Sequence, residues 1–363
     1  SLMEHGGVTQ QIINVVSKIT GRIKGGLGIT TILACMFFSA ISGSGPGTVA
    51  AVGSLMIPSM VRMGYSRGYA GAVSSSGGTL GILIPPSNPM IIYGVIASVS
   101  ITGLFLAGFM PGFIIGAAHS FVAYYVAKKL DYGGTGEPFV LSDFMKAVWH
   151  AKFALLAPVV VLGGIYAGIF TPVEASVIAV IYAFFVGGIV NRKLSFRKIL
   201  DSLTDAARVT GTVIIIVGTS TYFGQLLSVY EAPQKLTRLV TSISQNWFVV
   251  YLLIIAFFIV LGMFMETLST IIILTPVLLP MVTKLGIDPI HFGIIFVVTN
   301  EIAFLTPPLG VNLFVACQLA GVNLESLSKH VLPHIIAIIV CIILLARFPI
   351  ISLWLPHLLG YGR

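Results

Sequence analysis

Ile41-Ser42-Gly43-Ser44-Gly45-Pro46-Gly47-Thr48 interrupts an otherwise apolar stretch, and its reading decides the fold. Glycine and proline break helices and free backbone groups. In lipid, such a break survives only where protein or a water-filled cavity covers it. The flanking runs 27–42 and 48–61 hold 16 and 14 residues. As helices they reach about 24 and 21 Å at 1.5 Å per residue, short of a hydrocarbon core about 30 Å thick. The economical reading is a hairpin that enters the membrane, turns near mid-depth on residues 44–47 and leaves on the side it entered.

Composition places the chain in the membrane. Of 363 residues, 56% are hydrophobic and 9% charged, where a soluble domain carries about 25% charge. The apolar runs are too long and continuous for a β-barrel, so the class is an all-α integral membrane protein. Thirty-nine glycines and 18 prolines suit interrupted, tightly packed helices. The net charge of +8 does not mark a nucleic-acid binder, because the basic residues sit at the ends of apolar runs, as the positive-inside rule expects. Cys35, Cys317 and Cys341 lie in apolar surroundings without CxxC or Cys/His spacing, so packing is their reading, and neither a disulfide framework nor a transition metal is expected. There is no Walker A sequence, nucleophile elbow or zinc signature. The chain reads as no enzyme and holds no organic cofactor, and its driving force should be an ion gradient.

In chain order, residues 1–24 carry Val8, Ile12, Val15, Val16, Ile19 and Ile23 at helical spacing, an amphipathic helix lying in the interface. Residues 25–111 hold the first hairpin and a crossing split at Gly77-Gly78 and Pro85-Pro86. Residues 112–230 hold the crossings 104–127 (from its middle), 152–170, 173–190 and 209–229, with a polar connection at 128–150 and a polar helix before 209. A second interfacial helix is expected at 231–246. Residues 247–332 hold a second hairpin breaking near 265–269 and a crossing split at Thr306-Pro307-Pro308. Residues 333–363 carry the last crossing, 331–355. The start at Ser1, in a polar stretch and without Met, reads as a fragment with N-terminal helices missing.

An offset of 222 residues superimposes the chain on itself. Pro58 meets Pro280, Pro85-Pro86 meet Pro307-Pro308, and Pro111 meets Pro333. Gly64 meets Gly286, Gly71 meets Gly293, Arg62 meets Lys284, and Ser44 meets Glu266. Five crossings between the hairpins make an odd number, so the two copies should run in opposite directions. Inverted repeats with interrupted segments at matching positions point to a secondary transporter whose site lies at the midplane. If the first hairpin opens to the cytoplasm, 15 of the 20 Lys and Arg fall on that side, which sets the orientation.

Broken helices present carbonyls on one side of the break and N–H groups on the other. With small hydroxyl and amide side chains they can form an all-oxygen cage for sodium, and half-helix N-termini attract a carboxylate. Ser42, Ser44, Thr48, Ser74, Ser75, Ser76, Thr79, Ser87 and Asn88 cluster at the first pair of breaks. Thr267, Ser269, Thr270, Thr299, Asn300, Thr306 and Asn312 cluster at the second. Glu266 and Glu301 are functional candidates as intramembrane charges, with a structural role capping backbone N–H groups as the alternative. Gly77-Gly78 admits a second reading, a close helix contact. Glu174, after Thr171-Pro172, reads as a helix cap.

The motif of residues 41–54 and Gly77-Gly78-Thr79-Leu80-Gly81-Ile82-Leu83-Ile84-Pro85-Pro86-Ser87 resembles the large membrane subunit, the M or DctM-type component, of TRAP (tripartite ATP-independent periplasmic) transporters. Tyr93-Gly94, residues 104–108, Thr171-Pro172-Val173-Glu174-Ala175 and Leu305-Thr306-Pro307-Pro308-Leu309-Gly310 extend the resemblance over essentially the whole chain. It implies an ion-transporter-type fold with an elevator transport domain on a scaffold, in the bacterial inner (cytoplasmic) membrane. It implies sodium as coupling ion, a small four-helix Q-type membrane subunit, and a periplasmic substrate-binding protein delivering an organic acid anion. C4-dicarboxylates, sialic acid and other sugar acids all stay open. By the same resemblance one sodium site would use Ser42, Gly43, Ser44, Gly45, Gly78, Thr79 and Asn88. The other would use Glu266, Thr267, Ser269, Asn300, Gly310 and Asn312. Ser44, Ser87 and Thr306 are expected to face the substrate. The alternatives are an ion channel, or a sodium- or proton-coupled transporter that needs no binding protein.

Overall fold

The computed structural model describes residues 2–361 except 135, 137, 232–234, 236–237 and 239–245. The expected interfacial helix at 231–246 therefore lies largely outside the described residues. Among those described, every regular element is helical.

The first hairpin pairs Gly26–Ser42 with Gly45–Arg62, leaving two residues between them. Gly43 closes the incoming helix in the left-handed region at φ 63°, where only glycine sits without steric cost. The Ser44 hydroxyl opens the outgoing helix by accepting from the Gly47 N–H at 3.3 Å. Pro46 fits the first turn, where a missing N–H costs nothing. The turn is thus shorter than the sequence predicts, because residues 45–47 join the helix they were expected to precede. The second hairpin pairs Trp247–Gly262 with Thr267–Lys284, so its break lies at residues 263–266, earlier than the expected 265–269.

Arg67–Thr79 runs unbroken through Gly77 and Gly78, which corrects the expected break there. The close-contact reading holds instead, since a Cβ on Gly77 would stand 2.8 Å from the Cys35 Sγ. The helix gives way at the turn Leu80–Ile82 and resumes as Asn88–Ala97. The second split crossing is Pro289–Phe304 followed by Val311–Ala320. The Pro85-Pro86 and Pro307-Pro308 bonds are both cis.

The 222-residue offset recurs in the elements. Gly45–Arg62 maps onto Thr267–Lys284 residue for residue, and Asn88–Ala97 onto Val311–Ala320 within one residue. Gly64 and Gly286 both turn left-handed, at φ 85° and 76°. Ser66 and Asp288 both cap the helix that follows. Packing is reciprocal: Gly45–Arg62 lies on Val311–Ala320, and Thr267–Lys284 lies on Asn88–Ala97. Tyr93 ties the repeats together by donating to the Pro289 carbonyl at 2.6 Å, and Phe258 stacks on Phe296 at 4.0 Å between centroids.

Around this centre run Ile101–Lys129, Pro172–Phe184 with the π turn Phe185–Val190, and Leu324–Arg347. Among the described residues, four helices are long and apolar enough to cross a membrane, or five if Leu141–His150 and Lys152–Tyr166, bent by 61°, count as one span. Helix Leu141–His150 occupies what reads in the sequence as a polar connection. Phe196–Val229 is one continuous 34-residue helix, not a polar helix followed by a crossing. The expected last crossing is two helices, Leu324–Arg347 and Ile350–Leu358, separated at Phe348-Pro349. The N-terminal helix Val8–Thr20 buries Val8, Ile12, Ile13, Val15 and Val16 and packs against Gly26–Ser42. Val159, Val173, Val177, Ile181 and Ile189 stay exposed, an apolar exterior fitted to lipid or a membrane partner.

Candidate functional site

The first tip, the first split crossing and the second half-helix meet at one buried junction. Gly45, at the start of the first outgoing helix, meets Gly78 closely: an ideal Cβ on Gly45 would lie 3.3 Å from the Gly78 carbonyl oxygen, and one on Gly78 would lie 3.1 Å from that of Gly45. The Asn312 side chain lies over both, 3.2 Å from each of those Cβ positions. It is fully buried and donates from Nδ2 to the Ser75 carbonyl at 3.2 Å. Gly81 packs on the Ser44 carbonyl, with the Thr48 hydroxyl 2.8 Å from its Cβ position. The Thr48 hydroxyl donates to that same Ser44 carbonyl at 2.8 Å, and Ser42 approaches it at 3.4 Å.

Gly43 stands slightly apart. Its Cβ position lies 2.9 Å from the Pro86 carbonyl and 3.7 Å from the Asn88 Oδ1. The first predicted set is thus drawn together around Ser44, Gly45 and Gly78, with Gly43 reaching Asn88. Thr79 lies alongside Glu301 while its hydroxyl donates to the Ser76 carbonyl at 2.8 Å.

The second tip is built on a carboxylate. Glu266 accepts from the Leu268 and Ser269 N–H groups at 2.8 and 3.2 Å, a cap of the kind a helix N-terminus favours. The Thr270 hydroxyl donates to the Glu266 carbonyl at 2.9 Å, matching Thr48 on Ser44. The Leu309 N–H donates to the Met263 carbonyl at 3.2 Å, fastening this tip to the second break. Gly310 starts the second half-helix at φ 29°. Asn300 donates from Nδ2 to the Phe296 carbonyl at 2.8 Å, and its Oδ1 lies 3.6 Å from the Cβ position of Gly262.

The predicted second set is therefore divided. Glu266, Thr267, Ser269, Asn300 and Gly310 stay with the second tip and break, while Asn312 sits with the first tip. The expected substrate hydroxyls are locally engaged. Ser87 donates to the Ile82 carbonyl, and Thr306 donates to the Ile302 carbonyl at 2.7 Å. No hydrogen bond joins Ser44, Ser87 and Thr306 among the described residues.

The donor set fits a hard cation. The hydroxyls of Ser74, Ser76 and Thr267, the Oδ1 atoms of Asn300 and Asn312, and both Glu301 oxygens are buried without a protein partner. All of these free atoms are oxygens, beside backbone carbonyls at interrupted helices, the chemistry of a sodium cage. An unpartnered buried oxygen costs about 1–3 kcal/mol, a cost that a cation bound beside it would relieve. Gly81 is the junction member that sequence spacing does not single out, while Ser75, expected through its hydroxyl, enters through its carbonyl. Gly81 carries no polar side chain, and Ser75 contributes only backbone. Glu301 is paired with Thr79 by the 222-residue offset, a signal present in the sequence.

These features define a class, a multi-pass helical membrane protein whose irregular backbone is held inside protein. The chain belongs to the DctM family: residues 1–351 match the family described as tripartite ATP-independent periplasmic transporter, DctM component. It is 43% identical to the isethionate TRAP transporter permease protein DctMQ of Oleidesulfovibrio alaskensis, over 95% of this chain and 54% of that protein. The chain thus spans about half the length of that relative. It is 38% identical to the C4-dicarboxylate TRAP transporter large permease protein DctM of Pseudomonas aeruginosa, over 99% of this chain and 84% of that protein. It is 36% identical to the sialic acid TRAP transporter large permease protein SiaM of Vibrio cholerae, over 100% of this chain and 85% of that protein.

Proposed function

We propose that this chain is the translocating subunit of a sodium-coupled importer of organic acid anions. The observation carrying this reading is the junction of Gly45, Gly78 and Asn312, where a tip of one repeat meets a half-helix of the other beside unpartnered oxygens. Sodium would bind at the first tip through the Ser44, Gly45 and Gly78 backbone with Asn312, and at the second near Glu266, Thr267 and Asn300. The two hairpins and split helices would move as an elevator against the remaining helices, with the two repeats inverted. A periplasmic binding protein would deliver the anion, a small Q-type membrane subunit would complete the scaffold, and the assembly would lie in the bacterial inner membrane. Relatives named for isethionate, C4-dicarboxylate and sialic acid agree on the substrate class, a small molecule bearing an acid group.

The test is uptake by the chain reconstituted with its membrane and periplasmic partners under an imposed sodium gradient. Uptake should require the gradient and the binding protein. Ser44→Leu should abolish sodium-dependent uptake while leaving a folded protein, and uptake indifferent to sodium would sink the reading.

A further inference from the structure

At the base of the second hairpin, a cavity of about 240 Å³ lies between Trp247–Gly262, the start of Pro289–Phe304 and helix Ile350–Leu358. Two of its lining side chains hold a buried polar atom without a partner, the Tyr251 hydroxyl and the His291 Nε2. These residues are 0% and 1% exposed, and such atoms are costly unless something polar meets them. The Ser352 hydroxyl gives its proton to the Pro349 carbonyl at 3.0 Å, so it accepts the His291 Nδ1–H at 2.7 Å. That assigns Nε2 as a lone-pair acceptor. Asp288 is the third polar member. Its Oδ1 accepts from the Ile290 and His291 N–H groups at 2.7 and 3.1 Å, and its Oδ2 takes no hydrogen bond among the described residues. No cation lines the cavity among the described residues, and they hold no group of three His, Cys, Asp or Glu side chains able to bind a metal. A carboxylate, an imidazole lone pair and a phenol oxygen beside the Trp247 ring suit a cation that carries N–H donors, a primary ammonium.

The matching corner of the first repeat is a built-in control. Ser66, aligned with Asp288, caps its helix with a neutral hydroxyl. Tyr69, aligned with His291, donates to the Ala123 carbonyl at 2.7 Å. The second corner instead carries a charge and two unengaged polar atoms. Its surroundings suit a lipid. Helix Ile350–Leu358 turns Leu353 to the cavity while Ile350, Trp354 and Leu358, at fourfold spacing, stay exposed. The Arg347 guanidinium stands 6.0 Å from the Phe248 ring and 5.6 Å from the Phe348 ring. Those rings adjoin the lining residues Trp247 and Pro349, and no carboxylate pairs with Arg347 among the described residues. A tryptophan and an arginine at helix ends mark the boundary between lipid and water.

We infer that this cavity receives the ammonium of a phosphatidylethanolamine headgroup, with its phosphate on Arg347 and its acyl chains along Ile350, Trp354 and Leu358. Charge complementarity selects the occupant, since the headgroup places a cation against Asp288 and an anion against Arg347. A quaternary ammonium has no N–H for His291 Nε2 or the Tyr251 oxygen, and an anionic headgroup has no cation for Asp288.

The test is native mass spectrometry of the purified full chain after exposure to phosphatidylethanolamine, phosphatidylcholine or phosphatidylglycerol. A phosphatidylethanolamine with a photoreactive acyl chain locates the site. One phosphatidylethanolamine should be retained in preference to the other two lipids, and the crosslinks should fall on residues 350–358. Asp288→Asn keeps a good helix cap and should weaken that retention about tenfold, the loss of one hydrogen bond to a charged group. Tyr251→Phe should weaken it about threefold, and both variants should keep the elution profile of a folded protein. Equal retention of the three lipids, crosslinks elsewhere, or an Asp288→Asn chain that holds phosphatidylethanolamine as tightly would each overturn the assignment. Displacement of the lipid by millimolar ethanolamine alone would also overturn it, in favour of a soluble-amine site.

Discussion

At the first tip Ser44 caps the outgoing helix with a hydroxyl, and at the matching position of the second tip Glu266 caps it with a carboxylate. The next turn is the same in both, with Thr48 and Thr270 each returning a hydroxyl to the capping residue's carbonyl. The spacing partners differ as well. Gly81 lets the Ser44 carbonyl approach, whereas its counterpart Ala303 stands against Gly262, so the small residue has changed sides. One backbone plan has been kept while charge and side-chain volume were redistributed between its two copies. A hydroxyl cap leaves the first tip dependent on carbonyls and on Asn312 from the other repeat. A carboxylate cap gives the second tip a charge of its own.

The sharpest way to break that comparison is volume. A methyl group at Gly81 would collide with the Ser44 backbone, and overpacking of this kind costs about 1–3 kcal/mol. Gly81→Ala should lower the melting temperature and remove uptake, while Ala303→Gly should be mild, at about 1 kcal/mol for a glycine in a helix. Equal effects by thermal unfolding in detergent would show that the tips are not differently packed. Next comes the link between the repeats. Asn312→Leu removes its bond to the Ser75 carbonyl, worth about 1 kcal/mol, and should impair the first tip, seen as lost sodium dependence in proteoliposomes. Sodium dependence of the wild-type kind in that variant would detach Asn312 from the ion path.

Charge is tested more gently. Glu266→Gln keeps an acceptor at the cap and removes the charge, so the melting temperature should hold while the sodium requirement rises about tenfold, equivalent to 1.4 kcal/mol. Glu266→Ala and Ser44→Ala should each lose about 1 kcal/mol of capping, and a Glu266→Ala loss no larger than that of Ser44→Ala would leave the carboxylate with capping alone. The smallest effect is expected far from both tips, at the exposed pair Lys24 and Asp131, 2.9 Å apart. The Lys24 ammonium holds Asp131 below the usual carboxylate range, and Asp131 holds Lys24 above the usual ammonium range. Their contribution is therefore lost as pH falls through the lowered carboxyl value or rises through the raised ammonium value. Lys24→Gln should remove this acid-side dependence and leave neutral-pH uptake unchanged.

Much of this was legible in residue order. Breaks at Gly43-Ser44 and at the paired prolines follow from local chemistry, and the 222-residue offset aligns Ser44 with Glu266 before any coordinate is known. Spacing along the chain sets register within each copy, but it does not say which copy a side chain touches. Asn312 shows the gap: its sequence neighbours belong to the second break, yet the reciprocal packing of Val311–Ala320 on Gly45–Arg62 carries it to the first tip. Gly77-Gly78 shows another, because a glycine pair reads alike as a break or as a close contact until the opposing Cys35 is in view. Helix Leu141–His150 was hidden by the charges and glycines of the connection around it.

The unbroken helix Phe196–Val229 has a mechanical meaning. At 1.5 Å per residue its 34 residues extend about 51 Å, longer than a hydrocarbon layer of about 30 Å is thick. It contains no proline and packs against Thr267–Lys284, the outgoing arm of the second hairpin. A shaft without a joint cannot absorb a sideways push by folding at its middle. A shift of that hairpin would therefore be passed along the helix axis rather than taken up by a proline hinge.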